Sequence, residues 1–184
     1  MTEPREILAP AFPADDGAAD PRLATALARL ADGTGSYPDA VAALVQARLL
    51  VPVVAVLGEV DEHGADKTSD MATVLIRGAD GRHALLAFSS MATLRAWRED
   101  ARPVPVAAAD AAKAAVQEQA EALLVDIAGP AKLVVEGDNL KALAAGWQLA
   151  AIAGSDGTTR AAWLRPAAGP PAVPDLGGDS SETE

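Results

Sequence analysis

The sequence predicts an α+β fold: a largely antiparallel sheet of four to five short strands with helices packed on it and a flexible segment at each end. Three runs rich in β-branched or large apolar residues follow one another at 49–57, 71–77 and 83–88, and turn formers close each of them. The segments around these runs repeat apolar residues at helical spacing behind Asp-Pro, Ser and Asp start signals. At 184 residues the chain is long enough to bury a core without disulfide or metal support, and one domain over 21–165 holds every expected element.

Residues 1–20 contain Pro4, Pro10, Pro13 and Gly17 and no apolar period, so they are expected to form a disordered acidic tail. Asp20-Pro21 supplies an N-cap and a first-turn proline. Leu23, Leu27 and Leu30 then mark a helix over 21–31 that Asp32-Gly33 ends. Ser36-Tyr37-Pro38-Asp39 repeats the start signal, and Val41, Leu44, Val45 and Arg48 carry a second helix straight into the strand at Leu49. Proline cannot donate to a ladder, so Pro52 predicts an edge strand or marks where the strand starts. The connection 58–70 has six ionised side chains, which keep it in water. Gly78-Ala79-Asp80-Gly81 joins the next two strands as an antiparallel hairpin.

Ser89 or Ser90 caps a helix over 90–98 with Met91, Leu94 and Trp97 on one face, and Arg102-Pro103 stops it. After a brief extended segment at 104–106, the stretch 107–120 is alanine-rich with Val116 as its only large apolar side chain. That helix is expected to pack closely through small residues. Residues 123–127 and 133–136 read as strands about a Gly129-Pro130 turn. Asp138 is expected to cap a helix holding Leu140, Leu143 and Ala144, which Gly146 ends. One more short helix is expected over 158–164, closed by Pro166, and 166–184 has the composition of a second disordered acidic tail.

The chain has 15 basic and 26 acidic residues, a formal net charge of −11. Residues 1–21 hold one Arg against five acids, and 166–184 hold four acids and no base, which leaves 14 bases and 17 acids in 22–165. A nearly balanced centre lacks the concentrated Lys and Arg that a phosphate backbone requires, so no nucleic-acid partner is expected. The acidic ends read as solvation of disordered segments. The absence of cysteine excludes a disulfide scaffold, a thiolate metal site and a thiol nucleophile, and it suits a reducing compartment. The N-terminal residues lack a basic region followed by a long apolar run. No stretch approaches the roughly 18 apolar residues that span a bilayer, so a soluble, cytoplasmic protein without a membrane partner is expected.

The order of certain pieces carries a resemblance. Leu50-Val-Pro-Val53, Lys67-Thr-Ser-Asp-Met-Ala-Thr-Val74, Gly81-Arg-His-Ala-Leu-Leu-Ala-Phe-Ser-Ser90, Trp97, Arg102-Pro-Val-Pro-Val106 and Asp126-Ile-Ala-Gly-Pro130 together resemble the SseB-like N-terminal domain over 20–146. Phe88-Ser-Ser90 stands where Phe-Thr-Ser is expected, which keeps a hydroxyl cap. The resemblance implies a small mixed α/β domain of bacterial proteins named after an enhanced serine-sensitivity phenotype. It implies no catalytic residue and no cofactor at any position.

No stretch meets the spacing of a catalytic or metal motif. Gly58, Gly64 and Lys67-Thr68 miss the P-loop spacing, and a strand rather than a helix follows them. The acids of the same loop lack the alternation and terminal Glu of an EF-hand. His63 and His83 share no metal-ligand spacing and read as surface residues, while Ser89 and Ser90 lack a nucleophile elbow and read as caps. Arg95, Arg98 and Arg102, three and four residues apart, present a basic face beside Trp97, and these four are the candidate ligand or partner contacts. The function expected is a non-catalytic protein-interaction module with a protein partner and no cofactor. The alternative is a regulatory domain that binds a small anionic metabolite at the three arginines.

Overall fold

The computed structural model describes residues 12–56, 70–153 and 159–166; the P-loop-like and acidic loop with His63 lies outside them. In chain order the elements are α1 (Pro21–Ala31), α2 (Tyr37–Val45), β1 (Arg48–Val56), β2 (Asp70–Thr73), β3 (Leu75–Arg77), β4 (His83–Ala87), α3 (Met91–Trp97), β5 (Arg102–Ala107), α4 (Ala108–Gln117), β6 (Ala122–Val125), β7 (Leu133–Glu136), α5 (Gly137–Ala144), β8 (Gln148–Ala153) and β9 (Thr159–Leu164). The architecture is α+β. The helix starts follow the local chemistry. Asp20 Oδ1 accepts from the Arg22 and Leu23 N–H groups at the head of α1, and Ser36 and Asp39 close a reciprocal capping box on α2. At α5 the cap is Glu136, without a side-chain bond, and Asp138 lies inside the first turn instead of capping it.

The strands form three sheets instead of the single one expected: β2-β1-β5, β3-β4-β6-β7 and the hairpin β8-β9. All pairings are antiparallel except β4 with β6, which run parallel because α3, β5 and α4 cross between them. The expected strand 71–77 is split at Val74: β2 pairs with β1, and then the Val74 carbonyl accepts the Leu86 N–H at 3.1 Å as β3 moves over to β4. Leu50 and Phe88 exchange reciprocal N–H···O bonds of 2.8 Å, which join the first two sheets.

Pro52 lies in the central strand β1, not at an edge. Because Leu50 bonds to Phe88, the even positions of β1 direct their backbone groups away from β5. The missing donor of Pro52 therefore falls between the Phe88 bridge and the start of β2, where no acceptor waits. Pro103 and Pro105, opposite Pro52 and Leu50, likewise turn their donor-less nitrogens to the outer side of the edge strand β5. The expected helix over 158–164 is also overturned. Residues from Thr159 pair with β8 from Ala153 back to Gln148, and the facing pair Leu149 and Trp163 packs on the main core. Alanine's helix propensity is a weak preference, and six residues are too few to repay helix nucleation against a paired partner strand.

The main core gathers Leu23 and Leu27 of α1, Val41 and Leu44 of α2, and Leu140 and Leu143 of α5 against the inner strand faces. Helix α4 enters it through Ala108, Ala111, Ala112 and Ala115, each at most 1% exposed, while Val116 turns to solvent at 46%. The small-residue packing expected of this helix is what brings it against the sheet. A second cluster, Leu50, Leu86, Phe88 and Leu94, lies on the other side of the strands beneath α3.

At the ends of the parallel pair, Asp126 is 2% exposed with φ of +56°, a left-handed conformation that Asp tolerates better than most side chains. Its N–H donates to the Ala87 carbonyl, and its carboxylate accepts from the Ser89 N–H at 2.8 Å and the Ser89 hydroxyl at 2.6 Å. This clip locks the exits of β4 and β6 together. Asp126→Ala leaves two buried donors without an acceptor and is expected to cost about 2–3 kcal/mol of unfolding free energy. Asp126→Asn, which keeps an acceptor oxygen, is expected to cost less, and urea unfolding of the two variants checks the order.

Candidate interaction surface

Alternation along the strands of the four-stranded sheet gives it two apolar faces. Leu75, Leu85, Ala87, Leu123, Val125, Leu133 and Val135 face the main core. Ile76, Leu86, Leu124 and Val134 point the other way. The pairing register sets Leu86, Leu124 and Val134 in one row across three strands, with Val74 beside Leu86. Among the described residues Leu50 of β1, Met91, Leu94 and Trp97 of α3, and Ala101 pack on this second face. Leu86 is fully buried, Val74, Ile76, Leu124 and Ile127 are partly buried, and Val134 at the far edge is 43% exposed.

The structure places Trp97 at the end of α3, partly buried, its ring 5.4 Å from Phe88 and tilted by 32°. It belongs to the second cluster, as its spacing from Met91 and Leu94 implies. Arg98, the C-cap of α3, lays its guanidinium 4.8 Å from the Trp97 ring centre, a cation–π contact at the rim of the apolar face. Arg95 is exposed on the last turn of α3, and Arg102 is exposed at the start of β5, opposite Val53. Among the described residues none of the three arginines makes an ion pair. Trp97 and Arg98 are thus brought together, while among the described residues no ion pair or cation–π contact includes Arg95 or Arg102.

The other chemical candidates resolve into structure. Ser90 caps α3 in a box with Thr93, and Ser89 is consumed by Asp126 with both groups buried. No cluster of His, Asp and Glu able to hold a metal occurs among the described residues. Exposed His83 gives its backbone N–H to Glu121 at 2.8 Å. Clefts lined by described residues lie elsewhere. One of about 450 Å³ is on α1 and the start of α2, and one of about 560 Å³ is between the ends of α4 and α5. The latter contains Arg82, whose charge is already engaged by Asp80 and Glu136, each at 2.6 Å.

Read as an interaction module, the sequence implies an exposed apolar patch on one sheet face or at a strand edge, but the residues it singles out are Trp97 and the arginines and not those of the face. Its signal was present: 74–76, 122–125 and 133–135 are continuously apolar, the pattern of strands with apolar surface on both sides. Residues 23–142 match the family described as SseB protein N-terminal domain. No curated protein and no solved structure matches the chain.

Two expectations follow from this geometry. Replacing Arg95, Arg98 and Arg102 together by Gln is expected to lower stability by about 1 kcal/mol or less, because none makes an ion pair among the described residues and an exposed cation–π contact such as Arg98 on Trp97 contributes only about 0.5–1 kcal/mol; thermal unfolding checks it. The bond from His83 holds the Glu121 carboxyl below its ordinary value of 4.5. A depressed folded value means its contribution is complete above the ordinary value and lost as pH falls through the lower one. Glu121→Gln is expected to flatten the acid limb of the Tm profile below about pH 5.

Proposed function

We propose a function for a chain that belongs to the SseB N-terminal domain family: a non-catalytic protein-interaction module that docks a partner on the second face of its four-stranded sheet, in a bacterial cytoplasm. The observation that supports this reading is the apolar row Val74, Leu86, Leu124 and Val134, buried at Leu86, half-buried at Val74 and Leu124 and 43% exposed at Val134. Trp97, braced on Phe88 and carrying Arg98, is a pre-ordered aromatic and guanidinium pair of the kind that anchors interfaces. Arg95, Arg98 and Arg102 suit a partner with an acidic rim, where they act more on association rate and orientation than on final affinity. The buried Ser89 and Asp126 pair offers a substrate nothing to reach. The metabolite-binding alternative draws only on the three arginines, and none of the described clefts is built on them.

The test uses the full chain as bait in bacterial lysate, with captured proteins and co-purifying small molecules identified by mass spectrometry. Val134→Glu places a charge at an exposed position of the row, so it is expected to fold normally and to lose its partner at least about tenfold, the scale of one buried apolar contact. Unchanged capture by Val134→Glu sinks the docking surface. A bound anion released by the triple Arg→Gln variant, with no protein captured, moves the assignment to the regulatory domain.

A further inference from the structure

Arg48 opens β1, and its side chain is only 13% exposed. Its Nη1 donates to the Ser89 carbonyl at 3.2 Å, and Ser89 is itself fixed by the buried Asp126 clip. The guanidinium is therefore aimed by the body of the domain. Against it lies Asp15, 10% exposed, with Oδ2 2.8 Å from Nε and Oδ1 2.8 Å from Nη2, a side-on fork of the sort that selects carboxylates. Nη2 also donates to the Ala18 carbonyl at 2.5 Å.

The carboxylate is held far less firmly than the cation. Outside the pair with Arg48, Oδ2 accepts no hydrogen bond among the described residues, and the other donor to Oδ1 is Gly17 N–H at 2.7 Å, on the same short segment. The described residues before α1 form no helix or strand. Beyond Arg48 this segment is fastened by the Met91 N–H to the Gly17 carbonyl at 2.8 Å and by the seat of Gly17 on the Met91 side chain. Arg48 also lies inside the family-matched span of 23–142, and Asp15 lies outside it. A buried cation built into the family domain thus takes its counter-charge from a strap that is not part of the match.

We propose that Arg48 is a carboxylate-binding site which the chain fills in cis with Asp15, and that a carboxylate ligand takes the same place when the strap lifts. With the strap lifted the guanidinium keeps its bond to the Ser89 carbonyl and so stays aimed, and its planar fork favours a carboxylate over a spherical anion. The site is distinct from the sheet face and stands without it. Two sources share this chemistry, a small free carboxylate and an acidic residue of a peptide.

Thermal unfolding of the full chain carrying Asp15→Ala, in sodium acetate against sodium chloride of equal ionic strength, tests the proposal. A terminally capped peptide of residues 13–19, Pro-Ala-Asp-Asp-Gly-Ala-Ala, forms a parallel arm. Relative to the wild-type chain treated identically, the variant is expected to gain about 3 °C or more in Tm. A gain with acetate assigns a small carboxylate, and a gain with the peptide alone assigns a peptide-borne one. No gain in either arm overturns the site. Should Asp15→Ala fail to fold, Gly17→Ala replaces it, because a Cβ at φ +76° there collides with Met91 and unseats the strap. The capped peptide is then expected to bind at least about tenfold tighter than to the wild type by calorimetry, and equal affinity overturns the proposal.

Discussion

The reciprocal hydrogen bonds between Leu50 and Phe88 are the joint on which the rest of the molecule turns. They are the bridge between the sheet centred on β1 and the sheet centred on β4, and both side chains are buried in the second cluster, so the joint is shielded from water on that side. Immediately beyond Phe88, Ser89 passes to Asp126, Ser90 caps α3, and the Ser89 carbonyl receives Arg48. Three consecutive residues thus fix the parallel pair, the helix over the second face and the orientation of a buried cation. A displacement of Phe88 would disturb all three, which is why the polar groups around it are satisfied while the apolar face nearby is only partly covered.

The unequal cover of the two faces follows from side-chain size. On the main face α4 presents alanines, whose small volume lets the helix backbone come close to the strands, and α2 and α5 add larger residues around it. On the other face a helix of seven residues has to bury Leu94 and Trp97 over strands that continue beyond its reach. Apolar area left in water forgoes about 25 cal/mol per Å² of stabilisation. Val134, 43% exposed at the far end of the row, therefore forgoes stabilisation that a covering surface would supply.

Much of the fold was legible because local chemistry decided it. Asp20-Pro21, the Ser36 box, the Ser90 cap and the Gly78–Gly81 turn each satisfy backbone groups with adjacent side chains or a permissive φ, and all appear where expected. What could not be read depended on partners distant in sequence. Pro52 is tolerated in a central strand only because its neighbour changes there from Phe88 to β2, and residues 159–164 become a strand only because β8 lies alongside. The same holds for the site. Spacing along one helix brought out Trp97 with Arg98, whereas the apolar row needed four strands in register. The proline-rich segment before α1 gave no sign that Asp15 reaches Arg48, since an ion pair between positions 33 apart leaves no periodic trace.

The free edges of the sheets bear on the docking proposed above. On β5 the donor-less nitrogens of Pro103 and Pro105 face outward, so an added strand would find acceptors to donate to but too few donors in return. On β7 the Val134 carbonyl already receives the Tyr37 hydroxyl at 3.0 Å, and burial, the largest influence on that phenol, raises it above its ordinary value, so it remains protonated and donating. Strand addition is thus weakened at two of the outer edges, at β5 by missing donors and at β7 by one occupied acceptor. The apolar face between them is not weakened in this way, since side chains and not backbone groups form it. The docking proposed above would therefore rest on side-chain packing over the apolar row, with Trp97 and Arg98 at its rim.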